Sequence, residues 1–96
     1  MVMDFVEIGN LKKPHGLQGE LKGNVDERFW EDVSNAPAVF IDHRGDKAPY
    51  FIEYVRGGEP LILKLEDIDS KEDAALLTNK LLYLRRAEVQ LDDVDL

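Results

Sequence analysis

Few residues in this chain are of types that carry out chemistry. His15 and His43 are its two histidines, and they fall in different predicted turns. Cysteine is absent, and the aliphatic hydroxyls are limited to Ser34, Ser70 and Thr78, none of which lies in a recognisable nucleophile motif. A zinc site needs three or four His, Cys or carboxylate ligands, which two separated histidines do not supply. The sequence therefore predicts a protein without a catalytic centre or a metal site.

A second set of candidate residues lies in one segment, residues 9–22, which reads GNLKKPHGLQGELK. Pro14 fixes its own φ angle and favours extended geometry at Lys13. Gly16 and Gly19 allow positive φ angles or a close approach of the backbone. The segment predicts a strand, a tight loop and a second strand. Taken by itself, this spacing is explained by ordinary turn chemistry at least as well as by a binding loop.

The charge balance restricts the class of partner. The chain has 96 residues, with 20 acidic and 12 basic side chains and a net charge of −8. Nucleic-acid binding draws much of its affinity from Lys and Arg, so this chain should repel a polyanion over most of its surface. We therefore expect contact with a ribonucleoprotein to involve a basic protein within it, or a small local basic patch.

Length and hydropathy predict one small soluble domain. A chain of 96 residues can bury one core but not two. No apolar run approaches the roughly 18–20 residues that cross a bilayer, and the first residues do not have the features of a signal peptide. Together with the lack of cysteine, these features lead us to expect a cytoplasmic protein.

Most of the sequence is typical of short strands separated by turns. We predict strands over residues 5–11, 20–25, 38–41, 50–55, 61–65 and 81–84. Residues 12–16 are expected to end the first strand, residues 43–46 form a turn, and the strands on either side of residues 57–60 are expected to form a hairpin. Six such strands indicate a closed or nearly closed barrel, or a sandwich.

Two segments predict helical structure. Around residues 70–78, Ser70 can cap a short helix whose first turn contains Glu72 and Asp73, which complement the helix dipole. Ala74 and Leu77 share one face of this helix and should cover an end of the barrel. Residues 27–33 predict a single helical turn.

Two further features remain open between a structural and a binding role. Trp30, next to Phe29, is of a type usually found in the core, although tryptophan also anchors interfaces. Arg85 and Arg86 either contact rRNA or keep a strand edge soluble.

The segment from residue 9 to residue 22 resembles the opening of the RimM family of 16S rRNA processing factors. The residues that match the family pattern are Gly9, Pro14, His15, Gly16, Gly19, Glu20 and Lys22. A second stretch, residues 63–84, resembles the family's segment before, through and after its helix. One departure is Gln18, where the family commonly has Arg or Lys, which weakens the case for a phosphate-gripping loop.

The resemblance implies an all-β fold: a six-stranded antiparallel β-barrel like those of translation factors and some reductases, with one short helix. Residues 1–89 would form this domain, and residues 90–96 an acidic tail or the start of a linker to a C-terminal PRC-barrel domain that the chain lacks. RimM proteins are non-enzymatic ribosome biogenesis factors. They bind the free small (30S) ribosomal subunit through a ribosomal protein of its head, and they promote 16S rRNA processing and maturation of the 3′ (head) domain.

The resemblance also suggests where the partner binds, with no cofactor, metal, membrane or small-molecule substrate involved. The expected partner-binding residues are Lys12, Lys13, Pro14, His15, Gly16, Gly19, Glu20 and Lys22. Two alternatives remain. One is a barrel that binds rRNA directly, for which the aromatic residues at 50, 51 and 54 beside Glu53 are a poor stacking surface. The other is a flavin- or nucleotide-using enzyme, suggested by analogy of fold alone.

Overall fold

The computed structural model describes residues 4–57 and 59–90, and in these residues six strands close into a barrel. The order around the barrel is β1-β2-β5-β4-β3-β6, and every neighbouring pair is antiparallel. The strands are β1 (Phe5–His15), β2 (Glu20–Val25), β3 (Ala38–His43), β4 (Asp46–Gly57), β5 (Leu61–Leu65) and β6 (Leu81–Arg85). The predicted six-stranded antiparallel barrel is confirmed.

Two short α-helices accompany the barrel, α1 (Trp30–Asn35) and α2 (Lys71–Ala75). Ser70 caps α2 as predicted, since its Oγ accepts a 3.0 Å bond from the backbone N–H of Asp73. This helix lies within the predicted region around residues 70–78, and after Ala75 the chain tightens into turns held by i to i+3 bonds. Neither α-helix in the described part of the chain has the length and apolarity needed to cross a membrane.

The barrel core comes from the inward-facing residues of the strands, which alternate except where β1 and β4 change register. Along β5, Leu61, Leu63 and Leu65 belong to the core cluster, as the alternation predicts. Ala74 and Leu77 are also buried, and α2 packs on β1 and β2, so this helix covers part of the barrel as expected.

Lys64 is buried although it does not belong to the core cluster. Its Nζ donates to Asp69 Oδ1 at 3.0 Å, to Glu53 Oε2 at 3.3 Å and to the carbonyl of Leu65 at 2.8 Å. Burial alone would lower the pKa of Lys64, but the bonds to Asp69 and Glu53 raise it above its ordinary value. This lysine therefore ties β4 and β5 to the segment that leads into α2.

Several strands are longer than the sequence predicts. The expectation that β1 ends at residue 11 is wrong: Pro14 pairs with Leu21 and His15 with Glu20, so the strand runs through the proline. On the other side of the barrel, β3 and β4 extend to a two-residue turn at residues 44 and 45, both at positive φ. Such a turn follows the natural twist of the strands and lets them pair up to the loop.

The turn between β1 and β2 depends on two glycines in different ways. Gly16 has φ of 78° and Gly19 has φ of 99°, both in the left-handed region. A Cβ atom on Gly16 would meet nothing within 4 Å, whereas one on Gly19 would lie 2.0 Å from the carbonyl oxygen of Ile68. Gly16 thus supplies backbone freedom alone, and Gly19 also lets the turn pack against the segment before α2.

We predict that Gly19→Ala destabilises the domain far more than Gly16→Ala. The Gly16 change should lower the free energy of unfolding by about 1–2 kcal/mol, the cost of a left-handed Cβ residue. The Gly19 change should cost more than about 3 kcal/mol, because a clash with backbone adds to the same strain. Urea unfolding of both variants and the parent chain measures this, and equal losses would contradict the packing described for Gly19.

Candidate partner-binding site

All eight candidate residues lie in β1, β2 and the turn between them, and the pairing of these strands is irregular. Leu11 pairs with Gly23, but the next recorded pair is Pro14 with Leu21. Two residues of β1 therefore face one residue of β2, which is the arrangement of a β-bulge. Proline fits such a position because it has no backbone N–H to contribute to a regular ladder.

The residues at this bulge are Lys12 and Lys13 on β1 and Lys22 on β2. In a regular strand two consecutive side chains point to opposite faces, so one of the β1 lysines would point into the barrel. Instead both are exposed, next to the fully buried Leu11. The bulge therefore places three ammonium groups on the same outer surface of the hairpin.

The three lysines line one open groove of about 730 Å³. The remaining residues of its lining are Asn24, Glu59, Pro60 and Asn79. Within residues 4–57 and 59–90, Glu59 is the one acidic residue of this lining. Among the ion pairs formed within residues 4–57 and 59–90, none involves any of the three lysines. We call this feature the lysine groove, and it is a local positive region on an acidic domain.

Glu20 has a different environment from the lysines. Arg56 donates from Nη2 to Glu20 Oε1 at 2.8 Å and from Nε to Oε2 at 3.1 Å, and the hydroxyl of Tyr54 also donates to Oε2. The bonds from Arg56, and then from Tyr54, lower the pKa of Glu20 to about 2. The carboxylate thus stays ionised and is engaged by β4, on the far side of β5.

His15 lies at the end of β1, opposite Glu20, and does not line the lysine groove. The other histidine, His43, is on β3, where its Nε2 lies 2.9 Å from the hydroxyl of Tyr50. The structure therefore does not bring the two histidines together. No group of three His, Cys, Asp or Glu side chains within the described ranges is placed to hold a metal ion.

The turn of the hairpin adjoins an acidic surface, because Gly19 packs against the carbonyl of Ile68. We call residues 66–73 the acidic segment. Its exposed acidic side chains are Glu66, Asp67, Asp69, Glu72 and Asp73. One hairpin thus has a basic groove at its bulge and an acidic surface beside its turn.

Several residues of the site were not predicted from the sequence. Asn24 could have been identified, because it lies two residues from Lys22 on the same strand and so on the same face. Arg56, Pro60 and Asn79 have no such signal, since they are distant along the chain and arrive through β4, the β4–β5 connection and the turn after α2.

The sequence left open whether Trp30 and the pair Arg85 and Arg86 have a structural or a binding role, and the structure answers this for Trp30. Trp30 packs against the core, and its Nε1 donates to the carbonyl of Val25 at 2.8 Å, so it has a structural role. Arg85 donates to Glu88 at 2.9 Å and its guanidinium lies 5.8 Å from the centre of the Phe40 ring. Arg86 is exposed.

We predict that Arg56→Gln raises the pKa of Glu20 towards its ordinary value of 4.5. A lowered pKa stabilises the fold above pH 4.5, and this contribution is lost as the pH falls towards about 2. NMR titration of the Glu20 carboxyl carbon measures the pKa, with Arg44→Gln as the charge-matched control. In the Arg56 variant, thermal stability should also depend less on pH between about pH 5 and pH 2. An unchanged Glu20 titration would contradict the assigned contact.

Comparison with known proteins agrees with this architecture. The family model of the RimM N-terminal domain matches residues 6–89. The ribosome maturation factor RimM of Parabacteroides distasonis is 31% identical over 93 residues, which cover 95% of this chain and 53% of that protein. The ribosome maturation factor RimM of Coxiella burnetii is 34% identical over 84 residues, covering 86% of this chain and 50% of that protein. The chain thus spans about half the length of these curated relatives.

Two solved structures share the fold. A 16S ribosomal RNA processing protein RimM from Pseudomonas aeruginosa superposes with a TM-score of 0.78 at 23% identity, covering 88% of this chain and 52% of that one. The N-terminal domain of RimM from Thermus thermophilus gives a TM-score of 0.75 at 24% identity, covering 92% of this chain and 96% of that one. Since the family model covers most of the chain and the barrel is the same, this chain belongs to the RimM N-terminal domain family.

Proposed function

We propose that this domain acts in ribosome maturation as a non-enzymatic binding module. It binds the free small ribosomal subunit through a basic ribosomal protein of the head, and so promotes 16S rRNA processing and maturation of the head. Membership of the RimM N-terminal domain family supports this proposal, as do relatives named ribosome maturation factor RimM. A cytoplasmic location follows from the proposed role.

The observation that carries the proposal is the acidic segment beside the turn of the β1–β2 hairpin. A partner rich in Lys and Arg is attracted to such a surface and is oriented by it. Two apolar side chains next to these elements are exposed: Leu17 in the turn and Leu76 just after α2 are each 74% exposed. Interfaces combine an apolar centre with a polar rim, and these residues supply both.

In the proposed contact, the turn of the β1–β2 hairpin and the acidic segment form one docking surface, and the three lysines of the bulge lie outside it. Within it, Gly16 and Gly19 shape the turn and Glu20 anchors the hairpin to Arg56. Of the other candidate residues, His15 at the end of β1 is left to meet the partner beside the exposed Leu17.

Direct binding of rRNA remains the alternative function, and the lysine groove is the observation that favours it. The exposed aromatic residues argue against a stacking surface of the usual kind. Phe51 and Tyr54 flank Glu53 on β4, and the Tyr54 hydroxyl is held by Glu20. A base-stacking strand face needs aromatic residues beside cations, whereas here two carboxylates adjoin the rings.

We predict that the purified chain co-sediments with isolated small subunits and not with large subunits. Neutralising the acidic segment with Glu66→Gln, Asp67→Asn and Glu72→Gln should weaken retention about tenfold, because a basic partner loses three opposing charges. Sedimentation at low and moderate salt, followed by gel quantification of the bound chain, measures this.

The matched control neutralises three exposed acidic residues outside this surface, with Glu27→Gln, Glu31→Gln and Asp46→Asn. It changes the net charge by the same amount and should leave retention close to that of the parent chain. Equal retention by large subunits, or equal loss in the two triple variants, would contradict the proposed docking surface. Retention by neither subunit at low salt would contradict the proposed function of this domain.

A further inference from the structure

We propose that the lysine groove binds phosphate groups of an RNA backbone, as a second contact separate from the acidic docking surface. The inference rests on the proposed function only for the source of the RNA, the rRNA of the small subunit. The binding chemistry depends on the residues of the groove alone.

The lysine groove has an energetic cost to the fold. Like charges that face each other on neighbouring strands destabilise a sheet. Lys12 and Lys13 nevertheless lie opposite Lys22 in a chain that has 20 acidic residues, and the described ion pairs neutralise none of the three. Because local conflicts of this kind concentrate at functional sites, the groove is expected to hold an anion supplied from outside.

The bulge sets the direction of the β1 lysines. It is the feature that turns both β1 lysines outwards, and it coincides with Pro14, which cannot donate to a regular ladder. Bulges commonly redirect side chains next to binding sites. The geometry therefore concentrates positive charge at one point of the barrel surface.

The other walls of the groove suit a ribose-phosphate chain. Asn24 and Asn79 are exposed, and each amide can donate to a phosphate oxygen or exchange hydrogen bonds with a 2′-hydroxyl. Asn79 is fixed in place, since its backbone has φ of 69° and its N–H donates to the carbonyl of Leu11 at 2.9 Å. Pro60 adds an apolar wall against which a sugar can pack.

The kind and number of the cations suit a phosphate backbone. A lysine ammonium is a compact point charge that binds phosphate oxygens, and three of them in one groove match the repeated charges of a nucleic acid. A volume of about 730 Å³ also exceeds what one free phosphate ion needs, and it fits a segment of a chain.

The test is a fluorescence anisotropy titration of a short labelled RNA hairpin with the 96-residue chain, repeated from about 50 to 200 mM KCl. The variant carries Lys12→Gln, Lys13→Gln and Lys22→Gln. Each lysine that neutralises a phosphate contributes about 0.9 to the slope of log affinity against log salt. The triple variant should therefore lose about 2–3 from that slope and bind at least about tenfold more weakly at the lowest salt.

The charge-matched control carries Arg44→Gln, Lys71→Gln and Arg86→Gln, three exposed cations that do not line the groove. Far-ultraviolet circular dichroism of both variants confirms that they are folded. The proposal predicts a slope change of less than about 1 in the control. Equal effects of the two triple variants, absence of RNA binding by the parent chain, or displacement of RNA by poly-glutamate at equal charge concentration would overturn it. Ribosome sedimentation does not enter this test, so its failure and that of the proposed function are distinguishable.

Discussion

Closure of the barrel by β1 is the constraint on which the rest of the structure depends. This strand, the first of the chain, pairs with β2 along one edge and with β6, the last strand, along the other. It does so with a register shift on each edge, between Glu7 and Gly9 towards β6 and between Leu11 and Pro14 towards β2. Bulges bend a strand and increase its local twist, which a small barrel requires.

Gly9 shows how closely the strands approach where β1 bends. A Cβ atom there would lie 2.0 Å from the carbonyl oxygen of Asn24 on β2. No side chain can therefore occupy this position without moving the backbone. The same strand that closes the barrel also presents the lysines, because the second bulge is the point at which Lys12 and Lys13 turn outwards.

The surface of the hairpin is divided by charge as a consequence of this architecture. The bulge gathers three lysines, while the turn packs against the acidic segment before and within α2. Between them, Glu20 is held by Arg56 and Tyr54, which links the hairpin to β4 across β5. Two surfaces of opposite sign on one rigid hairpin suit a partner that contains both basic protein and RNA.

The sequence by itself determined the features that depend on neighbouring residues. Short apolar runs between turn residues located all six strands, Ser70 marked the start of α2, and the glycines at 16 and 19 marked the turn. These predictions succeed because the pattern of a strand, the capping of a helix and the left-handed backbone at a glycine all depend on residues close together in the chain. The resemblance carried by residues 9–22 and 63–84 identified the family, which the family model confirms.

Only the tertiary structure decided the rest. The sequence predicted that β1 ends before Pro14, because a proline usually ends a strand unless it lies at a bulge. The bulge in β1 becomes visible only once the pairing of β1 with β2 is known. The clustering of Lys22 with Asn79, and the bond from Arg56 to Glu20, join residues far apart in the chain. Such contacts are set by strand order and register around a closed barrel, and no local pattern of residues records them.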